Sequence, residues 1–217
     1  MSFMQLAKPA LTTAVLSAAI FFGLTLDKAH ATVVDFEGAT GSASATGDSF
    51  NVGGLNFELT DLGLGFLQVF NDDNFVEPGT TKLFAANHAE ITMTLAAGGA
   101  FSVSSLDLGG SWVNSPNRWA DQVQIAAQLN GGGIFQTLVD LPSLSPTYVT
   151  ANLNLTNILS LNFAAFGSNG TGLYDYEFTV DNINYNLAAV PLPASLAMLF
   201  VGIGALVGLR RKRASTA

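Results

Sequence analysis

The stretch Val149-Thr-Ala-Asn-Leu-Asn-Leu155, followed after a three-residue break by Leu159-Ser-Leu-Asn-Phe163, alternates apolar and polar residues almost without fault. A period of two places one set of side chains in a core and the other in water, which predicts half-buried β-strands. The same period recurs at Leu55, Phe57 and Leu59, and at Ile91, Met93 and Leu95. It returns at Phe101 and Val103, then Leu106 and Leu108, and finally at Tyr176, Phe178 and Val180. Turn-forming clusters separate the runs, among them Asn71 to Gly79, Asn114 to Asn117 and Asn130 to Gly133. The Gly, Ala, Ser and Thr-rich piece from Gly38 to Gly47 reads as a loop. No helical period appears between Thr32 and Leu187. About ten short strands over this span predict an all-β domain, a β-sandwich of jelly-roll type, with a closed barrel as the competing arrangement.

Charge divides the 217-residue chain into three regions. Between residues 32 and 190, fifteen acids face only Lys82 and Arg118, a formal charge of −13. Phosphate backbones would be repelled, so nucleic acid is excluded as a partner. The chain has no cysteine, which removes thiolate catalysis, Cys-based zinc sites and iron–sulfur clusters. Of its two histidines, His30 precedes the domain and His88 reads as a turn residue after the segment Leu83 to Asn87. A lone histidine builds no His-based metal site, and no G-x-S-x-G elbow is present to support a Ser–His–Asp triad. Fifteen acids can always supply two at the spacing glycoside hydrolysis needs, but nothing in the sequence marks one as an acid held protonated.

Both ends read as addresses. Residues 1–31 have the form of a signal peptide: Lys8, an apolar run from Ala10 to Leu26, then Ala29-His30-Ala31 as a small-x-small cleavage site for signal peptidase. An uncleaved N-terminal membrane helix is the alternative. Residues 32–188 form the predicted ectodomain. Residues 189–217 hold Val190-Pro191-Leu192-Pro193-Ala194, an apolar run over 194–209 that predicts a transmembrane helix, and the basic cluster Arg210, Arg211, Lys212 and Arg213. Sixteen apolar residues are short for a span, and the basic cluster orients the tail toward the cytoplasm.

This order of Pro-containing box, apolar segment and terminal Arg cluster resembles the PEP-CTERM sorting signal of Gram-negative bacteria and cyanobacteria, in a VPLPA variant where Leu192 stands in place of Glu. The resemblance covers about the last 28 residues, and it implies processing by an exosortase-like membrane protease. A plain single-pass C-terminal anchor is the alternative. Asp35-Phe36-Glu37, Phe101 to Leu108 and Phe178-Thr-Val-Asp-Asn-Ile183 together resemble the jelly-roll sandwiches of PEP-CTERM ectodomains, carbohydrate-binding modules and MAM-type adhesion domains. That resemblance implies a structural Ca²⁺ shared by the first and last strands through Asp35, Glu37 and Asp181. Asp35 and Glu37, two apart, would face one side of a strand, and Asp181 interrupts the alternation as a bulge would. Hard Ca²⁺ takes six to eight oxygens, and ordinary solvent-facing acids are the alternative reading.

The stretch from Ser111 to Trp119 places Trp112 and Trp119 beside Arg118, the one arginine of residues 32–190. Exposed indoles suit stacking on a sugar ring, and Arg118 could lie on one by cation–π attraction; equally, both rings could close one end of the core. Asn71-Asp72-Asp73-Asn74 is oxygen-rich but lacks the spacing and closing Glu of an EF-hand loop. The sequence therefore predicts a non-enzymatic exported protein of the cell surface or extracellular matrix. Its role would be structural or adhesive among exopolysaccharides, with direct glycan binding. A secreted polysaccharide hydrolase and a permanent single-pass envelope protein are the alternatives.

Overall fold

The computed structural model describes residues 31–60, 64–72, 76, 79–111, 118–141, 147–167, 176–187 and 203. Most of the signal segment with Ala29, the loop residue Trp112, the box Val190 to Ala194, the 194–209 run apart from Ile203 and the cluster Arg210 to Arg213 lie outside them. In the described residues the chain forms β1 (Thr32–Val34), β2 (Gly41–Ala43), β3 (Ser49–Val52), β4 (Leu55–Leu59), β5 (Phe66–Phe70) and β6 (Lys82–Ala86). It continues with β7 (Ile91–Leu95), β8 (Phe101–Gly109), β9 (Gln122–Leu129), β10 (Ile134–Asp140), β11 (Val149–Phe166) and β12 (Phe178–Leu187). The expected all-β class is observed. The segment expected as one loop, Gly38 to Gly47, contains the short strand β2.

All pairs are antiparallel, in the path β2-β5-β6-β12-β8-β11-β7-β4-β3, with β1 beside β12 and the β9–β10 hairpin beside β11. The path folds in two at β11. Its first half pairs with β8, from Val149 opposite Leu108 to Ile158 opposite Phe101. Its second half pairs with β9, from Ile158 opposite Leu129 to Phe166 opposite Gln122, and with β7 through Leu161 to Phe163. The register slips between Asn152 and Leu155 and again between Leu155 and Ile158. Asn154 and Asn157 have φ of 50° and 55°, the left-handed conformation that asparagine tolerates better than other chiral residues. Asn157 is held there by the Asn130 amide, 3.1 Å from its Oδ1, and by Asn130 N–H, which donates to its carbonyl. One sheet thus holds β2, β5, β6, β1, β12, β8 and the first half of β11; the other holds β3, β4, β7, the second half of β11, β9 and β10.

The core lies between these layers. Leu55, Phe57 and Leu59, Ile91, Met93 and Leu95, and Phe101, Val103, Leu106 and Leu108 are all buried, as the alternation requires. Phe36 meets Phe57 at 5.5 Å between ring centres, and the Tyr185 hydroxyl donates to the Gly53 carbonyl at 2.7 Å, tying β12 to the β3–β4 turn. Two expectations are corrected. The runs 149–155 and 159–163 belong to one strand, and its bulges advance the phase so that Ile158, not Leu159, is fully buried. Tyr176, expected in the last strand, precedes β12 and adopts φ of 62°.

Replacing Asn157 by Val forces a β-branched residue into a left-handed backbone and removes the Asn130 contact. Stability should fall by about 2 kcal/mol in chemical denaturation, whereas Asn157→Gly should lose clearly less. Equal losses would mean that backbone conformation at this position is not what matters.

Candidate functional site

Both ends of β11 arrive at one end of the sandwich. Asp121 N–H donates to the Phe166 carbonyl, Ala120 N–H to the Glu177 carbonyl and Glu177 N–H to the Arg118 carbonyl, so the starts of β9 and β12 meet the finish of β11. The β6–β7 turn closes the same end. Asn87 and His88 have φ of 56° and 62°, and Ala89 N–H donates back to the Ala86 carbonyl, the sign pattern of a type I′ turn. His88 is therefore the turn residue the sequence indicates.

Glycine is the usual second residue of such a turn, and an aromatic at positive φ is rarer still, as at Tyr176. These two left-handed residues pack edge to face, with ring centres 4.4 Å apart. Backbone strain of this kind persists only where surrounding structure imposes it, and it concentrates at functional sites. Together with Glu90, Ala164, Phe166 and Gly167 they line a cleft of about 310 Å³. A second cleft of about 440 Å³, lined by Asp121, Gln122 and Asp140, shares Phe166 and Gly167 as its wall. Phe166 stands between the two and is 47% exposed, a flat apolar surface flanked by carboxylates and an amide. Gln122 is already oriented, its Nε2 donating to Asp140 Oδ1 at 2.7 Å.

The residues singled out in the sequence are placed differently. Trp119 is only 3% exposed and forms an isolated bridge with Glu177, its ring pressed so closely on Gly110 that a Cβ there would lie 2.5 Å from it. Its ring therefore lacks the open face that sugar stacking needs. Arg118, its side chain 37% exposed, is ion-paired with the fully buried Glu177, so its guanidinium fastens the entry of β9 to that of β12.

The acids expected around Ca²⁺ each accept hydrogen bonds within the protein. β1 ends at Val34, and Phe36, at φ 56° and buried, turns the chain between Asp35 and Glu37; the two are not on one strand face. Asp35 accepts from Glu37 N–H, and Glu37 accepts from Thr81 N–H at 2.8 Å and from its hydroxyl at 3.2 Å. Asp181 does sit at a bulge, where the register slips before Asn184 and Asn182 adopts φ of 47°. It is 3% exposed and lies beside Asp107 on β8, while Asn182 N–H donates to it at 2.7 Å. Lys82, wholly buried on β6, donates to the Val76 carbonyl at 2.6 Å and supplies positive charge near Asp181. Among the described residues no group of three or more His, Asp or Glu side chains is gathered as a metal-ligand set. The cation this arrangement sets against Asp181 is the Lys82 ammonium.

Burial pushes the Asp181 carboxyl up to about 7. The Asn182 N–H and the Lys82 charge oppose the shift, and Asp107 and Glu37 add to it. Tyr148 is pushed up as well, first by burial and then by the negative charge of Asp181. Asp181 lines neither cleft.

No protein-family model matches the chain, and no curated protein sequence matches it. Solved structures similar to it include CBM32-3 from a family 31 glycoside hydrolase of Clostridium perfringens, at 15% identity and a TM-score of 0.36, covering 79% of this chain and 98% of that one. The CBM22-1–GH10 modules of Clostridium thermocellum xylanase 10B complexed with xylohexaose match at 10% identity and a TM-score of 0.37, covering 74% of this chain. The M60 catalytic domain with CBM51-1 and CBM51-2 of Clostridium perfringens ZmpB matches at 14% identity and a TM-score of 0.39, covering 72%. The chain spans 30% and 15% of the length of these last two.

Because the Asp181 carboxyl is raised in the folded protein, the native state holds a proton that the unfolded chain releases near pH 4. Its contribution to stability is therefore lost as pH rises from about 4 through about 7. Asp181→Asn should flatten this part of the pH–stability curve and be the more stable protein, relative to wild type, at pH 8 than at pH 5. Parallel curves for the two proteins would show that Asp181 does not titrate there.

Proposed function

We propose that this is a non-catalytic glycan-binding protein, exported and displayed at the cell surface or in the extracellular matrix. The observation that carries the binding function is Phe166, an exposed aromatic wall shared by two clefts whose rims offer Glu90, Asp121, Gln122 and Asp140. Sugar rings present an apolar face and a girdle of hydroxyls, and this combination meets both. The domain is read as a jelly-roll sandwich, in keeping with two antiparallel layers joined through β11. Export rests on the signal-peptide pattern of residues 1–31. Display rests on Val190 to Ala194, the apolar run behind it and Arg210 to Arg213, read as a sorting signal for an exosortase-like protease.

Absence of catalysis rests on the placement of acids. A glycosidase needs one carboxylic acid kept protonated next to the substrate. Among the described residues the carboxyl raised most clearly is Asp181, which lies outside both clefts.

Phe166→Ala should weaken retention of the protein in polysaccharide affinity gels at least tenfold, with its unfolding temperature little changed, because the ring is half in solvent. Release of reducing ends by the wild-type protein would replace this reading with a hydrolase. Undiminished retention of the variant would move the site elsewhere.

A further inference from the structure

The first cleft opens onto the outer face of the second sheet. Ala164 lines the cleft and stands opposite Gln124 on β9, and two residues earlier Asn162 stands opposite Ala126. Asn162 begins a row that crosses six strands: Gln136, Ala126, Asn162, Thr92, Glu58 and Ser49 are successive register partners from β10 to β3. At the strand spacing of a β-sheet this row spans about 24 Å. Its central members are mutually braced, the Asn162 amide donating to Thr92 Oγ1 at 3.2 Å and Thr92 Oγ1 lying 3.4 Å from Thr60 Oγ1.

Amides and hydroxyls both donate and accept, as the hydroxyls of a sugar do, and the small Ala126 and Ala164 leave the floor beside Phe166 low. Charge on this surface has one sign. Glu58 on the face and Glu90, Asp121 and Asp140 around the clefts are carboxylates. Among the described residues no Lys or Arg lies on the face, and Arg118, at the same end, is paired with Glu177.

We propose that the site takes an uncharged, extended polysaccharide, held at Phe166 by its end or by one internal ring and laid out along the Ala164–Asn162 face. This rests on the glycan-binding reading above and specifies it. Uronic-acid and sulfated chains are disfavoured by repulsion, because bringing a further anion against a rim of carboxylates is unfavourable. A single ring fills the cleft alone, whereas a longer chain also meets the braced amides and hydroxyls, so affinity grows with length.

The test is isothermal titration of the full chain in detergent micelles at low salt. Cellohexaose, xylohexaose and mannohexaose serve as neutral probes, with their disaccharides beside them, and hexagalacturonate and hexaguluronate as anionic probes. At least one neutral hexasaccharide should bind, its disaccharide at least tenfold more weakly, and neither anionic chain at all. Ala164→Arg, which fills the floor, should weaken the neutral hexasaccharide at least tenfold. Asn162→Ala, at an exposed position, should weaken it at least threefold, which keeps the test open should the arginine variant not fold. Equal binding of disaccharide and hexasaccharide, or no effect of Asn162→Ala, would overturn the extended face while leaving a glycan site at Phe166. Binding of the anionic chains would overturn the neutral class alone. Binding of none of the probes by wild type would overturn the glycan reading together with this one.

Discussion

The reversal of β11 at Asn154 and Asn157 is the constraint on which the rest of the architecture depends. A strand of 18 residues would be some 60 Å long if straight, far more than the sandwich can accommodate. By entering the left-handed region twice, the chain leaves one sheet and returns in the other. The two layers then face each other across a single core, and Phe166 comes back to the end from which Val149 set out. The cleft exists because β11 finishes there, next to the strained β6–β7 turn and the left-handed Tyr176. Architecture and site thus share one cause.

The outer face of the first sheet is part buried and part open. On it, Lys82, Thr179 and Asp181 are buried, with Tyr148 and Val76 against them, and the raised Asp181 carboxyl records the cost of desolvating a charge whose compensation is incomplete. Beside them Asp107, Thr150 and Asn182 stay accessible and bond to one another, as Asn162 and Thr92 do on the second sheet's outer face.

Much of the fold was legible because burial on one side of a strand writes itself as alternation. Leu55 to Leu59, Ile91 to Leu95 and Phe101 to Leu108 behave as their spacing requires. Legibility fails where backbone conformation intervenes. The break between Leu155 and Leu159 looked like a loop between strands, although the asparagines turn the strand without ending it, and the resulting phase slip buries Ile158. β6 is buried on both faces, Lys82 included, so no alternation marks it. The site was harder still. Trp119 drew attention by its chemistry but is buried against Gly110, and left-handed His88 and Tyr176 give no sign in composition. Phe166 could have been found: with Leu161 and Phe163 facing inward, the same period turns residue 166 toward solvent just before Gly167.

Backbone hydrogen exchange on the full chain, with and without a bound neutral hexasaccharide, tests the central claim most directly, because it reports where a ligand sits without altering the protein. The account predicts added protection at His88 to Glu90, Asp121 and Gln122, and Ala164 to Gly167, with none at Gly53 and Gly54 or at Gly98 and Gly99 on the opposite end. Protection confined to that opposite end, or spread over the first sheet's outer face around Asp181, would contradict it.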